Sequence, residues 1–126
     1  MKRRLFRETI IKLIFSDILG GDFLREDYSE EIITTFEDIK AKYHELDEII
    51  VSNLLNWSID RLNYVDLAIV RFSVYEMKYL NTPYRVAINE ALEITKTYSN
   101  LDDDLAKKFN NRLLENIKNY LEKNHG

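Results

Sequence analysis

The amino-acid sequence predicts an all-α protein, with six or seven helices in a single domain that spans residues 1–126. Apolar residues recur at steps of three and four along most of the chain, which is the spacing of an amphipathic helix. No segment alternates apolar and polar residues for long enough to indicate a strand. The chain also holds only 3 Gly and 1 Pro, which are too few turn formers for a many-stranded sandwich or barrel.

The first half of the chain contains three predicted helices. The first ends at Gly20-Gly21, because glycine readily adopts the left-handed conformation that caps a helix. Its apolar stripe comprises Leu5, Ile10, Ile11, Ile14, Phe15 and Ile18. The second helix follows Asp27 or Ser29 and carries Ile32, Phe36, Ile39 and Tyr43 on one face. The third carries Leu46, Ile49, Ile50 and Leu54.

The second half begins with an interruption at Asn56-Trp57-Ser58 and a short turn that contains Ile59 and Leu62. Asn63 is the predicted amino-terminal cap of the fourth helix, which places Asp66 in the first turn and runs through Tyr79. Thr82-Pro83 predicts the start of the fifth helix, with Thr82 as the cap and Pro83 at the first helical position. The fifth helix ends at Tyr98, and the sixth runs from Leu105 to Leu121.

Charge is distributed unevenly along the chain, although the net charge is only −4. Residues 1–12 carry five basic side chains and one acidic one, whereas residues 13–66 carry 13 acidic and four basic side chains. A chain polarised in this way can hold a polyanion at one surface and a basic partner at another. From charge alone, the alternative is that the basic start is a solvated tail.

The residue types argue against catalysis, and we expect no enzymatic activity, no cofactor and no metal site. The chain has 0 Cys, which excludes a thiol nucleophile, and neither His44 nor His125 has a second histidine at ligand spacing. No phosphate-binding loop or nucleophile elbow occurs, and most carboxylates fall on presumed polar helix faces. No apolar run approaches the roughly 20 residues of a membrane span, and no signal-peptide pattern is visible, so a cytoplasmic protein is expected.

One stretch of the chain carries a specific pattern. Its elements are Val65-Asp66, Ala68-Ile69, Arg71, Val74-Tyr75-Glu76 and, most specific of all, the run from Pro83 to Ala91, which reads PYRVAINEA. The start of the chain adds Arg3-Arg4 and Arg7-Glu8, and Lys108-Phe109-Asn110-Asn111 follows near the end. In these elements and in their order the chain resembles the NusB family of transcription antitermination factors over essentially its whole length.

Two features depart from the pattern of that family. The family usually has glycine after the last asparagine of its Lys-Phe-Val-Asn element, where this chain has Arg112. Because that glycine allows close helix packing, we expect the last helix to be spaced differently here. The loop before Lys108 is also longer than is usual for the family, by about three residues. The alignment across Asp102–Asp104 is therefore ambiguous, and no functional aspartate is assigned there.

The resemblance implies a fold of two packed small helical bundles and a function without catalysis. It implies binding to the single-stranded boxA element of ribosomal RNA leaders, together with NusE, a small-subunit ribosomal protein. It further implies action with RNA polymerase and other Nus factors to support rRNA transcription. The alternative, from a different class, is a helical scaffold that binds only protein, for instance as a homodimer.

Cations that hold phosphates and aromatic faces that stack on bases are the side chains that bind single-stranded RNA. The candidate RNA-binding residues are Arg3, Arg4, Arg7, Phe15, Arg71, Arg85, Lys108, Phe109 and Asn111. Phe15 and Phe109 have core packing as an alternative role, and Arg71 has an ion pair with Glu76 or Glu90. The acidic middle of the chain suits a basic ribosomal protein, and Asp60 and Asp66 are the candidate partner contacts, although Asp66 is also explained as a first-turn acid.

Overall fold

The computed structural model describes residues 2–54, 59, 62–98 and 104–124, and within these ranges the chain forms six α-helices and no strand. This confirms the all-α prediction. The helices are α1 (Arg3–Ile18), α2 (Glu30–Ala41), α3 (Tyr43–Ser52), α4 (Tyr64–Tyr79), α5 (Tyr84–Tyr98) and α6 (Asp104–Lys123). A 3-10 turn, Arg25–Asp27, lies between α1 and α2.

Local side chains and glycine set several helix ends where the sequence predicts them. Gly20 follows α1 with a φ of +81°, the left-handed conformation that ends a helix. The Ser29 hydroxyl accepts a hydrogen bond from the Ile32 N–H at 3.2 Å, so Ser29 rather than Asp27 caps α2. The Asn63 side-chain oxygen accepts from the Asp66 N–H at 2.7 Å, as predicted for the cap of α4.

Two predicted boundaries are wrong by a short distance. Tyr43 opens α3 instead of extending α2, because the chain turns at Lys42, whose N–H donates to the Ile39 carbonyl at 2.9 Å. Helix α5 begins at Tyr84, and the Thr82 hydroxyl donates to the Glu76 carboxylate at 3.0 Å. Thr82 therefore joins α5 to α4 through a side-chain hydrogen bond that helix-start rules do not anticipate.

Helix α4 is the centre of the fold. Every residue from Asp66 to Met77 is buried, and α4 packs against α1, α3, α5 and α6. Helix α2 contacts α1 and α3, while α5 packs against α6. The helices therefore form two small groups, α1–α3 and α5–α6, which share α4 and one continuous apolar core. No described helix is long and apolar enough to cross a membrane.

Candidate nucleic-acid interface

The amino-terminal arginines, predicted as one cluster, leave α1 in different directions. Arg3 faces α2, where its Nη1 lies 3.5 Å from Glu31 Oε2, and its guanidinium sits 4.1 Å from the centre of the Phe6 ring. Arg4 faces α5, where it forms two hydrogen bonds to the Glu90 carboxylate, one of them at 2.9 Å. Both arginines are about half exposed, so both are available to a ligand that competes with these carboxylates.

Arg7 points inward and is held in a buried ion pair. Its Nε and Nη2 donate to the Glu76 carboxylate of α4 at 2.9 and 2.6 Å, and its Nη1 lies 3.6 Å from Glu90 Oε1. The Arg7 side chain is 9% exposed and that of Glu76 is 2% exposed. The position of Arg7 therefore favours a structural role over direct contact with RNA.

Arg71 occupies a similar position in the middle of α4. Its Nε and Nη2 donate to the two Asp47 carboxylate oxygens of α3 at 2.8 and 2.7 Å, and its guanidinium lies 4.2 Å from the centre of the Tyr43 ring. The prediction that Arg71 pairs with Glu76 or Glu90 is wrong, because its partner is Asp47. With its side chain 11% exposed, Arg71 joins α4 to α3 and presents little of its charge to solvent.

Asp66, a predicted partner contact, is 7% exposed. Its Oδ1 accepts a hydrogen bond at 3.1 Å from the Asn110 amide of α6, and the same amide donates to the Thr95 hydroxyl of α5 at 3.2 Å. Asp66 therefore joins α4 to α6 in the interior and presents little surface to another protein. The second predicted partner contact, Asp60, lies outside the described residues.

A hollow between α1 and α5 brings together side chains suited to a nucleobase. We call it the α1–α5 groove; its volume is about 220 Å³, and it is lined by Glu8, Ile11, Lys12, Phe15, Val65, Ile94 and Tyr98. Phe15 is partly buried and Tyr98 is 41% exposed. Lys12 Nζ lies 5.4 Å from the centre of the Tyr98 ring. The groove thus combines an apolar interior, two aromatic rings and a cation.

A second hollow lies on the other edge of α5. We call it the α5–α6 groove; its volume is about 210 Å³, and it is lined by Leu92, Lys107, Lys108 and Asn111. The predicted residues Lys108 and Asn111 therefore lie together. Arg85, also predicted, is exposed and lies two turns before Leu92 on the same edge of α5, given the helical spacing. Phe109 is only partly exposed and packs against the core.

The two edges of α5 differ in charge. Glu90 faces α1, where its hydrogen bonds to Arg4 raise the pKa of the guanidinium; the charges of Glu93 and Glu8 act in the same direction. The same hydrogen bonds hold the pKa of the Glu90 carboxyl below its ordinary value. On the α6 edge, Arg85 and Lys96 are exposed. The carboxylates of α5 thus offset the cations of α1, while the α5–α6 groove keeps its positive charge.

Sequence reasoning missed three cationic or aromatic residues of these grooves: Lys12, Tyr98 and Lys107. Lys12 follows Glu8 by four residues, which places both on one face of α1. This spacing was the only local signal by which Lys12 could have been found. No local pattern connects Lys12 with Tyr98, which is 86 residues away in the sequence. Among the described residues, no cluster of histidine, aspartate or glutamate could hold a metal ion.

Comparisons with known proteins agree with this architecture. The family model described as "NusB family" matches residues 7–119. The transcription antitermination protein NusB of Listeria innocua is 43% identical, over 93% of this chain and 96% of its own. The protein of that name from Bacillus subtilis is 37% identical, over 97% and 98%. A solved structure of T. maritima NusB superposes with a TM-score of 0.79 at 27% identity and covers 94% of this chain and 92% of its own. These matches confirm the resemblance read from the motifs: the chain belongs to the NusB family.

Proposed function

We propose that this chain is a non-catalytic transcription antitermination factor that binds boxA-type single-stranded RNA together with NusE. Its relatives carry the name of a transcription antitermination protein. In this proposal, the RNA-bound protein acts in the cytoplasm with RNA polymerase and other Nus factors to support rRNA transcription. The observation that carries the RNA-binding part is the α1–α5 groove, where two aromatic rings and Lys12 surround an apolar hollow.

In the proposed mode of binding, aromatic rings contact the bases and cationic side chains contact the phosphates. Stacking on aromatic rings holds unpaired bases without regard to their hydrogen-bonding edges, and Phe15 and Tyr98 supply such rings. Arg3 and Arg4 supply exposed cations at the start of α1 for phosphates. Since Arg4 already forms two hydrogen bonds to Glu90, a phosphate must displace this carboxylate. The displacement reduces the free energy that is gained when Arg4 binds the phosphate.

The remaining predicted contacts fall into two groups. Arg85, Lys108 and Asn111 are exposed on α5 and α6 and are proposed to contact the RNA directly. Arg7, Arg71, Phe109 and Asp66 are buried or partly buried and are proposed to act by holding the helices in place. For NusE, a basic ribosomal protein, we propose that the acidic segment 13–66 supplies the complementary charge, with Asp60 as a contact.

A protein-binding scaffold without RNA binding, for instance a homodimer, is the second candidate. The observation that favours it is the pairing of the amino-terminal arginines with carboxylates, which leaves Arg7 in particular with no free charge. Salt dependence separates the two candidates. If about four phosphates are neutralised on a single strand, log K falls with log salt at a slope near −3. A scaffold that binds only protein shows no RNA signal at any salt concentration.

The test is the binding of a labelled boxA-like RNA and a scrambled control, with and without NusE, at two salt concentrations. Tyr98→Leu is the diagnostic variant, and Tyr120→Leu is its matched control, because Tyr120 is similarly exposed, at 37%, and lies outside the groove. Loss of one stacked base costs about 1–3 kcal/mol, so Tyr98→Leu should weaken binding by between about fivefold and about 150-fold. Equal affinities of the two variants for RNA would contradict stacking in the groove.

A further inference from the structure

The exposed face of α6 carries two like charges side by side. Lys108 and Arg112 are both exposed and are spaced i,i+4, which places them one turn apart on the same face. Like charges at this spacing repel and destabilise a helix unless a counter-charge lies close to them. Glu115, three residues after Arg112 on the same helix, has its carboxylate 3.7 Å from the Lys118 Nζ instead. Among the side chains that the structure describes, which on this helix are those of residues 105–123, neither Lys108 nor Arg112 has a carboxylate within ion-pair distance.

This arrangement contrasts with the middle of the chain. Each described cation between residues 25 and 78 lies within 4.0 Å of a carboxylate; these cations are Arg25, Lys40, Lys42, Arg71 and Lys78. Helix α6 has an excess of positive charge, since it carries five cations against three carboxylates: Lys107, Lys108, Arg112, Lys118 and Lys123 against Asp104, Glu115 and Glu122.

The α5–α6 groove extends this positive surface. Lys107 and Lys108 line it with Asn111, and Leu92 forms its apolar side. Lys96 lies one turn after Leu92 on the same edge of α5, by helical spacing, and is exposed. The Glu90 carboxylate of α5 lies toward α1, where it accepts two hydrogen bonds from Arg4, on the opposite edge. Among the described residues, the lining of the groove thus offers two ammonium groups and an amide, with no carboxylate.

We propose that Arg112, together with Lys108, binds a phosphate of the RNA backbone along the α5–α6 groove. This inference rests on the proposed function and adds to it a contact at a residue that the motif comparison does not assign. A guanidinium binds phosphate through two parallel hydrogen bonds, and the neighbouring ammonium adds a point charge. The phosphate also supplies a counter-charge to Lys108 and Arg112. A single strand that stacks its bases in the α1–α5 groove needs to cross only one helix, about 10 Å wide, to reach this surface.

Arg112→Gln tests the contact, because it removes the charge while keeping nearly the same helix propensity. Lys123→Gln is the matched control. Lys123 is exposed on the same face of α6, three turns or about 16 Å further along the helix. One lost phosphate contact should make the salt dependence less steep by about 0.7, which corresponds to about fivefold weaker binding at 0.1 M salt. The control should keep the wild-type slope and affinity.

The outcomes separate this inference from the proposed function. If the wild-type protein binds RNA with a steep salt dependence and Arg112→Gln binds with the same slope and affinity, the phosphate contact is refuted while RNA binding stands. If Arg112→Gln weakens the binding of NusE and leaves RNA binding unchanged, the surface contacts protein and the inference is again refuted. If the wild-type protein shows no salt-sensitive RNA signal, the proposed function itself fails.

Discussion

Replacing Arg7 with methionine should lower the stability of the protein sharply, because the substitution leaves Glu76 buried without its partner. Arg7 donates to Glu76 at 2.6 and 2.9 Å, and the two side chains are 9% and 2% exposed. Removal of one member of a buried ion pair typically costs 3–5 kcal/mol, since the remaining charge is desolvated and uncompensated. The Thr82 hydroxyl, which donates to Glu76 at 3.0 Å, offsets only part of this cost.

Arg25→Met is the matched control for Arg7→Met. Arg25 pairs with Glu37 at the same distance of 2.6 Å, but these side chains are 57% and 53% exposed, so the loss should stay below about 1 kcal/mol. Urea unfolding measures the free energy of unfolding of both variants. For a chain of this length, a loss of 3–5 kcal/mol lowers the Tm by about 12–20 °C.

The double variant Arg7→Met/Glu76→Met should regain much of the stability that Arg7→Met loses, because an apolar pair of similar volume needs no counter-charge. If Arg7→Met costs no more than Arg25→Met, the buried ion pair is not a structural element and Arg7 becomes available as a direct RNA contact.

Two further predictions concern single side chains. At neutral pH, Glu90→Gln should cost about 1 kcal/mol or less, because Arg4 is half exposed. The Arg4 guanidinium lowers the pKa of the Glu90 carboxyl, so this stabilisation is complete above the unfolded pKa of about 4.3 and is lost as the pH falls through the lower folded pKa. Denaturant titrations at pH 7 and pH 3 should therefore show a difference between wild type and variant that shrinks with acid, and a constant difference would argue against the pair. Asp66→Lys should destabilise the fold by roughly 3 kcal/mol, because it puts an uncompensated cation in place of the hydrogen bond to Asn110. A variant that unfolds at the wild-type urea midpoint would mean that Asp66 is open to a partner.

The helices were predictable because their signals are local. An apolar stripe, a capping side chain such as Ser29 or Asn63 and a glycine such as Gly20 act within one or two turns, so the sequence shows them directly. The boundaries that were wrong involve interactions that sequence patterns describe poorly. Thr82, a good capping residue, instead donates to Glu76 on the preceding helix.

The candidate site was predictable in residue type and only partly in position. Of the predicted RNA contacts, Phe15 lies in the α1–α5 groove, and Lys108 and Asn111 lie in the α5–α6 groove. Arg71 was expected to pair with Glu76 or Glu90, but the partner is Asp47 on α3. The sequence lists every charge without showing which pairs of charges meet.

By itself, the sequence determined the all-α class, the order of the helices, the polarised charge and the family, since each depends on residue type and local spacing. Only the tertiary structure decided which cations are free to bind an anion. Arg4 and Arg7 meet carboxylates that are 86 and 69 residues away, while Arg112 meets none among the described residues. The physical reason is that the availability of a charge depends on its solvation and on its nearest counter-charge, and both are set by which helices pack together.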